Sequence, residues 1–174
     1  AKEKLHLATF PWRDDFAAAR NAALQLASQR GGTWALTIDT DERLGFDGYA
    51  TADDLRSALD ARPIPLAWTV PVGHGGYSKE RFIRLPTSLQ WRGRTHEALT
   101  SERGCSRQQL SGCIFWEVGK SASAQAFKLE RDLRILLEET AAQPLNPRWW
   151  YYLGQTYEGL REYRSGLAAL ERCI

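Results

Sequence analysis

Apolar positions recur at helical spacing at both ends of this chain and cluster into short β-rich runs between them. Phe16, Ala19, Ala23 and Leu26 share one face of a helix predicted over residues 16–27, with Asp14 or Asp15 as its cap and Gly31-Gly32 as its stop. The next run, Thr33 to Ile38, is β-branched, aromatic and apolar, and predicts a buried strand. It ends abruptly in Asp39-Thr40-Asp41-Glu42. Thr51 and Asp54 have capping-box spacing and open a second helix, Leu55 to Leu59, which Pro63 and Pro65 close. Ala67 to Val72 predicts a strand with Pro71 at an edge, and Gly73 to Gly76 a loop. Arg81 to Leu85 and Gln90 to Arg94 predict two more strands, joined through Pro86-Thr-Ser88. Strand, helix and then a group of strands imply an α/β domain, a mixed sheet with flanking helices.

From Ala124 the pattern is wholly helical. Leu129, Leu133, Leu136 and Thr140 fall on one face, with Phe127 and Leu137 beside it, and the helix should stop before Pro144. Trp150, Leu153, Gly154 and Tyr157 then match the tetratricopeptide pattern W-x2-L-G-x2-Y at every defined position. Gly166 stands where such a repeat needs a small residue for close helix packing. Counted from Pro147, a repeat of about 34 residues would run past Ile174. The expected organisation is therefore an α/β portion over residues 1–120 and an all-α segment over 121–174, with one incomplete repeat at about 147–174.

Composition narrows the class. Of 174 residues 43% are hydrophobic and 25% charged, ordinary values for a folded domain. No stretch has the roughly 20 apolar residues of a membrane helix, and no leader is legible. Cys105, Cys113 and Cys173 are odd in number without CxxC spacing, which favours a reducing compartment, by default the cytoplasm. The net charge of +2 is unevenly spread. Residues 39–60 hold seven acids and two arginines, residues 79–107 seven bases and three acids. A cation site opposite an anion-binding wall would produce that asymmetry, as would two solvated faces. The basic stretch lacks the regular aromatic interleaving of a nucleic-acid surface.

Asp39 and Asp41, one residue apart at the mouth of a strand, point to roughly the same side, with Glu42 behind them. Crowded carboxylates favour a neutralising cation, and an all-oxygen set suits Mn²⁺ or Mg²⁺. A phosphoesterase or nuclease would also gather acids, but only His6, His74 and His96 exist to complete a two-metal site. Among the seven tryptophans, Trp68 and Trp91 are candidates for stacking on a sugar, whereas Trp34 and Trp150 are expected to pack in the core.

Four ordered segments carry a resemblance. Phe16-Ala-Ala-Ala-Arg20-Asn21-Ala-Ala-Leu24 followed by Trp34-Ala-Leu-Thr-Ile-Asp39-Thr-Asp41-Glu42-Arg-Leu44 resembles the bacterial family 2 glycosyltransferases, where the form is dFsxaRNxal and then WxlxlDaDExl. Tyr77 to Arg84 is similar to the family's RlfR strand, and Trp91 to Leu99 to its yxGxvHExl motif. Members of this branch often continue into tetratricopeptide repeats. Two departures accompany the match. The family's N-terminal nucleotide-binding half, with its Asn-Glu-Glu and D-x-x-S-x-D-x-T motifs, has no counterpart, so a fragment of a longer enzyme is expected. A histidine found after the HE motif in many relatives is replaced by Phe115-Trp116-Glu117.

The resemblance implies part of a GT-A fold and transfer of a sugar from a nucleotide-sugar donor to a glycan, lipid or protein acceptor, inverting and dependent on Mn²⁺ or Mg²⁺. It implies metal binding by Asp41, Asp39 and His96, and donor binding by Asp39, Arg20, Asn21, Arg81, Arg84 and Arg94. An inverting transfer needs a base for the acceptor hydroxyl, for which Glu97 is the candidate, with His96 beside it. The competing expectation is a repeat-based interaction module, binding a protein partner through its helices and carrying an inactive transferase remnant.

Overall fold

The computed structural model of the chain describes residues 6–173. Helix α1 (Phe16–Gln29) starts where Asp15 accepts the Ala18 N–H, and Gly31 leaves it in the left-handed region at φ 78°. Two strands follow, β1 (Trp34–Leu36) and β2 (Glu42–Gly45), then α2 (Ala52–Leu59). Thr51 and Asp54 cap α2 reciprocally, as their spacing predicts. After it come β3 (Ala67–Pro71), β4 (Ser78–Arg84), β5 (Gln90–Arg92), β6 (Ala98–Thr100), β7 (Arg107–Gln109) and β8 (Ile114–Glu117).

Four strands form one sheet in the order β1-β4-β3-β7, antiparallel except for the parallel β3–β7 pair, so the sheet is mixed. The β2–β8 and β5–β6 pairs stand apart from it as two-stranded antiparallel ribbons. Alternation along the strands divides two cores. Ala67 and Ile83 face Ala17 and Leu24 of α1, together with Leu89, Trp91 and Leu99. Trp68, Val70 and Phe82 face Leu59 of α2, Cys113 and Phe115. Each face of the sheet is therefore covered by one helix.

The expected buried strand at residues 33–38 is corrected. β1 is three residues long and lies at the sheet edge, with Leu36 46% and Ile38 43% exposed. Its apolar composition reports a β preference, while pairing to β4 alone decides its exposure. The strand expected to reach Arg94 stops at Arg92, because Gly93 and His96 take positive φ of 101° and 48° and turn the chain.

The elements described after Lys120 are all helical: α3 (Ala122–Ala142), α4 (Pro147–Gly159), α5 (Tyr163–Leu170) and a closing 3-10 turn (Glu171–Cys173). α4 and α5 form the expected antiparallel hairpin. A Cβ on Gly154 would meet Leu170 Cγ at 2.6 Å, and one on Gly166 would meet the Gly154 carbonyl oxygen at 3.3 Å, so these glycines set the approach. Leu153 and Ala169 pack with Trp149 and Leu136 of α3, whereas Leu167 is 61% exposed. The expected ridge of α3 packs inward, with Leu136 and Thr140 buried, Leu133 against the hairpin core and Leu129 beside Gly159. The buried side also takes in Asp132, Ile135 and Glu139, whereas the flanking Phe127 and Leu137 are exposed. Among the described residues no helix is long and apolar enough to cross a membrane.

Candidate functional site

The turn between β1 and β2 is built by its third acid. Glu42 accepts the Asp39 N–H at 2.8 Å on one oxygen and Lys79 Nζ at 3.1 Å, together with Arg81 Nη2, on the other. Glu42 and Arg81 are each 3% exposed. The β3–β4 register slips between Trp68 and Thr69, leaving Arg81 out of the pairing, and its guanidinium lies 4.5 Å from the Phe115 ring centroid. A buried carboxylate would be costly alone, and here two cations and a backbone donor compensate it.

On the open side of the turn, Arg20 of α1 bridges two carboxylates from distant parts of the sequence. Its Nη2 donates to Asp39 at 2.6 Å and its Nε to Glu97 at 2.5 Å, while the guanidinium lies 5.1 Å from the centre of the Trp91 ring. Burial alone would lower the Arg20 pKa, but Glu97 and Asp39 outweigh it and raise it. These residues line a cleft of about 300 Å³ with Lys79, Glu80, Arg81, His96, Arg148 and Tyr152. Glu97 Oε1 carries the Arg20 bond, and Oε2 receives no donor among the described residues.

His96 and Glu97 sit on the connection between β5 and β6, which is clamped from two helices. On α3, Asp132 is 1% exposed and accepts from Thr95 Oγ1 at 3.1 Å, Lys128 at 2.9 Å and Arg131 at 2.8 Å. Burial pushes the Asp132 carboxyl up, but the Lys128 and Arg131 hydrogen bonds prevail and hold it below its ordinary value. His96 Nε2 lies 3.9 Å from the same carboxylate. On α4, the Tyr152 ring stacks on His96 at 4.0 Å and 11°, and Arg148 donates to the His96 carbonyl at 2.6 Å. Burial lowers the His96 pKa, against an opposing pull from Asp132.

The expected site residues thus divide. Arg20, Asp39, Arg81, His96 and Glu97 come together in the cleft. Asn21 holds the fold, its amide donating to the Trp91 carbonyl and accepting the Trp91 N–H, both at 2.9 Å. Arg94 is turned to α3, where it pairs with Glu138 and Glu139. Arg84 is exposed on β4, outside the cleft lining. Trp68 is a core residue whose indole N–H donates to the Leu59 carbonyl at 3.1 Å, which removes it from sugar stacking, and Trp91 backs the cleft behind Arg20.

Asp41 faces elsewhere. Its carboxylate pairs with Lys120, whose hydrogen bond lowers its pKa. Among the described residues no three His, Cys, Asp or Glu side chains form a metal-ligating group. Asp39 and His96 line the cleft together, Asp39 held by Arg20 and His96 between Tyr152 and Asp132, whereas Asp41 lies outside that lining and pairs with Lys120. The arrangement is not a preformed metal centre. Sequence pattern does not single out Lys120, Asp132, Arg148 or Tyr152. Asp132 alone leaves a trace, as an acid in register with Ile135 and Leu136 on the buried side of α3.

No family model matches the chain. It is 35% identical over 104 residues to a TPR repeat-containing protein of Synechococcus elongatus, a match covering 56% of this chain and 24% of that protein. The chain therefore spans about a quarter of that relative's length. The relative's name agrees with the helical hairpin of α4 and α5. Residues 121–174 are too few to hold the matched stretch, so the similarity also includes part of the α/β portion.

Proposed function

We propose that the cleft serves sugar transfer from a nucleotide-sugar donor to an acceptor hydroxyl, in a GT-A-like α/β portion occupying residues 1–120. The observation that carries this reading is the Arg20 bridge between Asp39 and Glu97, which joins the two most distinctive motifs of the family resemblance in one cleft. In an inverting transfer the acceptor hydroxyl loses its proton as it attacks the sugar carbon opposite the departing diphosphate. Glu97 Oε2 is available for that proton, with Arg20 fixing the carboxylate through Oε1. Asp39 is oriented by Arg20 and by the Glu42-stabilised turn to receive a sugar or ribose hydroxyl. A requirement for Mn²⁺ or Mg²⁺ belongs to the proposal on the Asp39-Thr40-Asp41 spacing alone.

The test is release of nucleoside diphosphate from labelled nucleotide sugars, with Mn²⁺, with Mg²⁺ and with chelator. Glu97→Gln should slow release by about 10²–10⁴-fold. Release at the wild-type rate by that variant would remove Glu97 from the chemistry.

A second reading has its own support. The curated relative is named for its repeats, and Tyr163 and Leu167 of α5 are 65% and 61% exposed, as on a surface that receives a protein partner. Absence of release with every donor, together with saturable peptide binding abolished by Tyr163→Ala and Leu167→Ala, would favour an interaction module.

A further inference from the structure

The charges lining the cleft are matched, with one exception. Arg20 pairs with Asp39 and Glu97, Arg81 with Glu42, Lys79 with Glu42 and Glu117, and Glu80 with Arg107. Arg148 of α4 has no carboxylate partner among the described residues, and the one hydrogen bond of its guanidinium goes to the neutral His96 carbonyl. It is nonetheless held firmly. Its guanidinium lies 4.9 Å from the centre of the Tyr152 ring, and that ring is itself stacked on His96. Arg148 and Trp91 also line the adjoining cavity of about 710 Å³ between α1, the β5–β6 ribbon and α4, so Arg148 stands where the two spaces meet.

A half-buried guanidinium oriented by a carbonyl and an aromatic ring, without a counter-charge, is a prepared anion site. The His96 carbonyl and the Tyr152 ring already orient it before a ligand arrives, and its remaining N–H groups form a planar fork suited to two oxygens. We propose that Arg148, supported by Tyr152, binds a phosphoryl group of the cleft's ligand, so that the first helix of the repeat hairpin supplies part of the binding site. The inference rests on the cleft being the ligand site of the proposed transfer, but it concerns binding only. It assigns the hairpin a role inside the site that its repeat pattern does not imply.

Calorimetric titration of the purified chain with inorganic pyrophosphate tests it, with malonate as a dicarboxylate for comparison. The wild type should bind pyrophosphate more tightly than malonate. Arg148→Gln should weaken pyrophosphate at least tenfold, and Arg148→Lys, which keeps the charge but loses the fork, by a smaller factor. Because Arg148→Gln also removes the bond to His96, the wild-type protein provides a second readout that needs no variant to fold. The ¹⁵Nε–H resonance of Arg148 should shift on adding pyrophosphate, saturating with the calorimetric Kd. Wild-type affinity in both variants, an unmoved Arg148 resonance, or tighter binding of malonate would overturn the proposal. Arg148-dependent pyrophosphate binding in a protein that releases no nucleotide from any donor would overturn the transfer reading and leave this inference standing.

Discussion

Two ion-pair networks meet at the turn after β1, and they differ in how far water reaches them. On the inner side Glu42 and Arg81 are each 3% exposed, with Lys79 closing the group. On the outer side Arg20 joins Asp39 and Glu97, whose side chains are 38% and 14% exposed. The same residue types therefore do different work. Removing Glu42 strands the fully enclosed charge of Arg81, whereas Lys79 on the inner side and Asp39 on the outer, at 37% and 38% side-chain exposure, remain within reach of water. The inner network sets the shape of the turn, and the outer one lines the cleft.

Glu42→Gln should give the largest effect. It leaves Arg81 buried beside a neutral amide, and urea unfolding should show a loss of about 3–5 kcal/mol. A loss below about 1 kcal/mol would mean that water enters the inner network, and the contrast would fail.

Asp132→Asn comes next, at about 2 kcal/mol near neutral pH, because Lys128 and Arg131 lose a buried counter-charge but can turn to solvent. The sign follows from the depressed carboxyl. Its stabilisation is present above the ordinary value of 3.8 and is lost as pH falls through the lower folded value. The gap between wild type and variant should therefore close in acid below 3.8, and a gap that persists there would assign the effect to packing.

For Glu97→Gln the expected stability change is under about 1 kcal/mol, since Arg20 keeps Asp39 and regains water. Denaturation of this variant beside Glu42→Gln sharpens the contrast directly, and equal losses would erase it. The smallest effect belongs to Lys120→Ala. Its pair with Asp41 is roughly one-third exposed on both sides, so the loss should not exceed about 0.5 kcal/mol and should vanish in high salt. That variant also uncovers the Asp41 carboxylate, so any gain in Mn²⁺ affinity by titration would show that Lys120 competes with a cation for it.

Local chemistry alone wrote much of this molecule. Asp15 and the Thr51–Asp54 box start α1 and α2 because a cap needs only a side-chain oxygen within three residues of its N–H. Gly154 and Gly166 announce the α4–α5 crossing because closeness of that kind tolerates no side chain. The meeting of Asp39 with Glu97 was legible only as an ordered set of motifs, with no distance attached. Tertiary structure decided the rest. It put apolar β1 at an edge, turned Arg94 and Asn21 to structural work, gave Asp41 to Lys120, and brought Arg148 and Tyr152 from the repeat helix against His96. Caps, turns and close crossings are fixed by neighbours a few residues away, and a sequence displays those neighbours. The partner of a charge is fixed by which surfaces pack together 50 to 80 residues apart, as with Arg148 and His96 or Arg20 and Glu97. One-dimensional pattern carries no record of that choice.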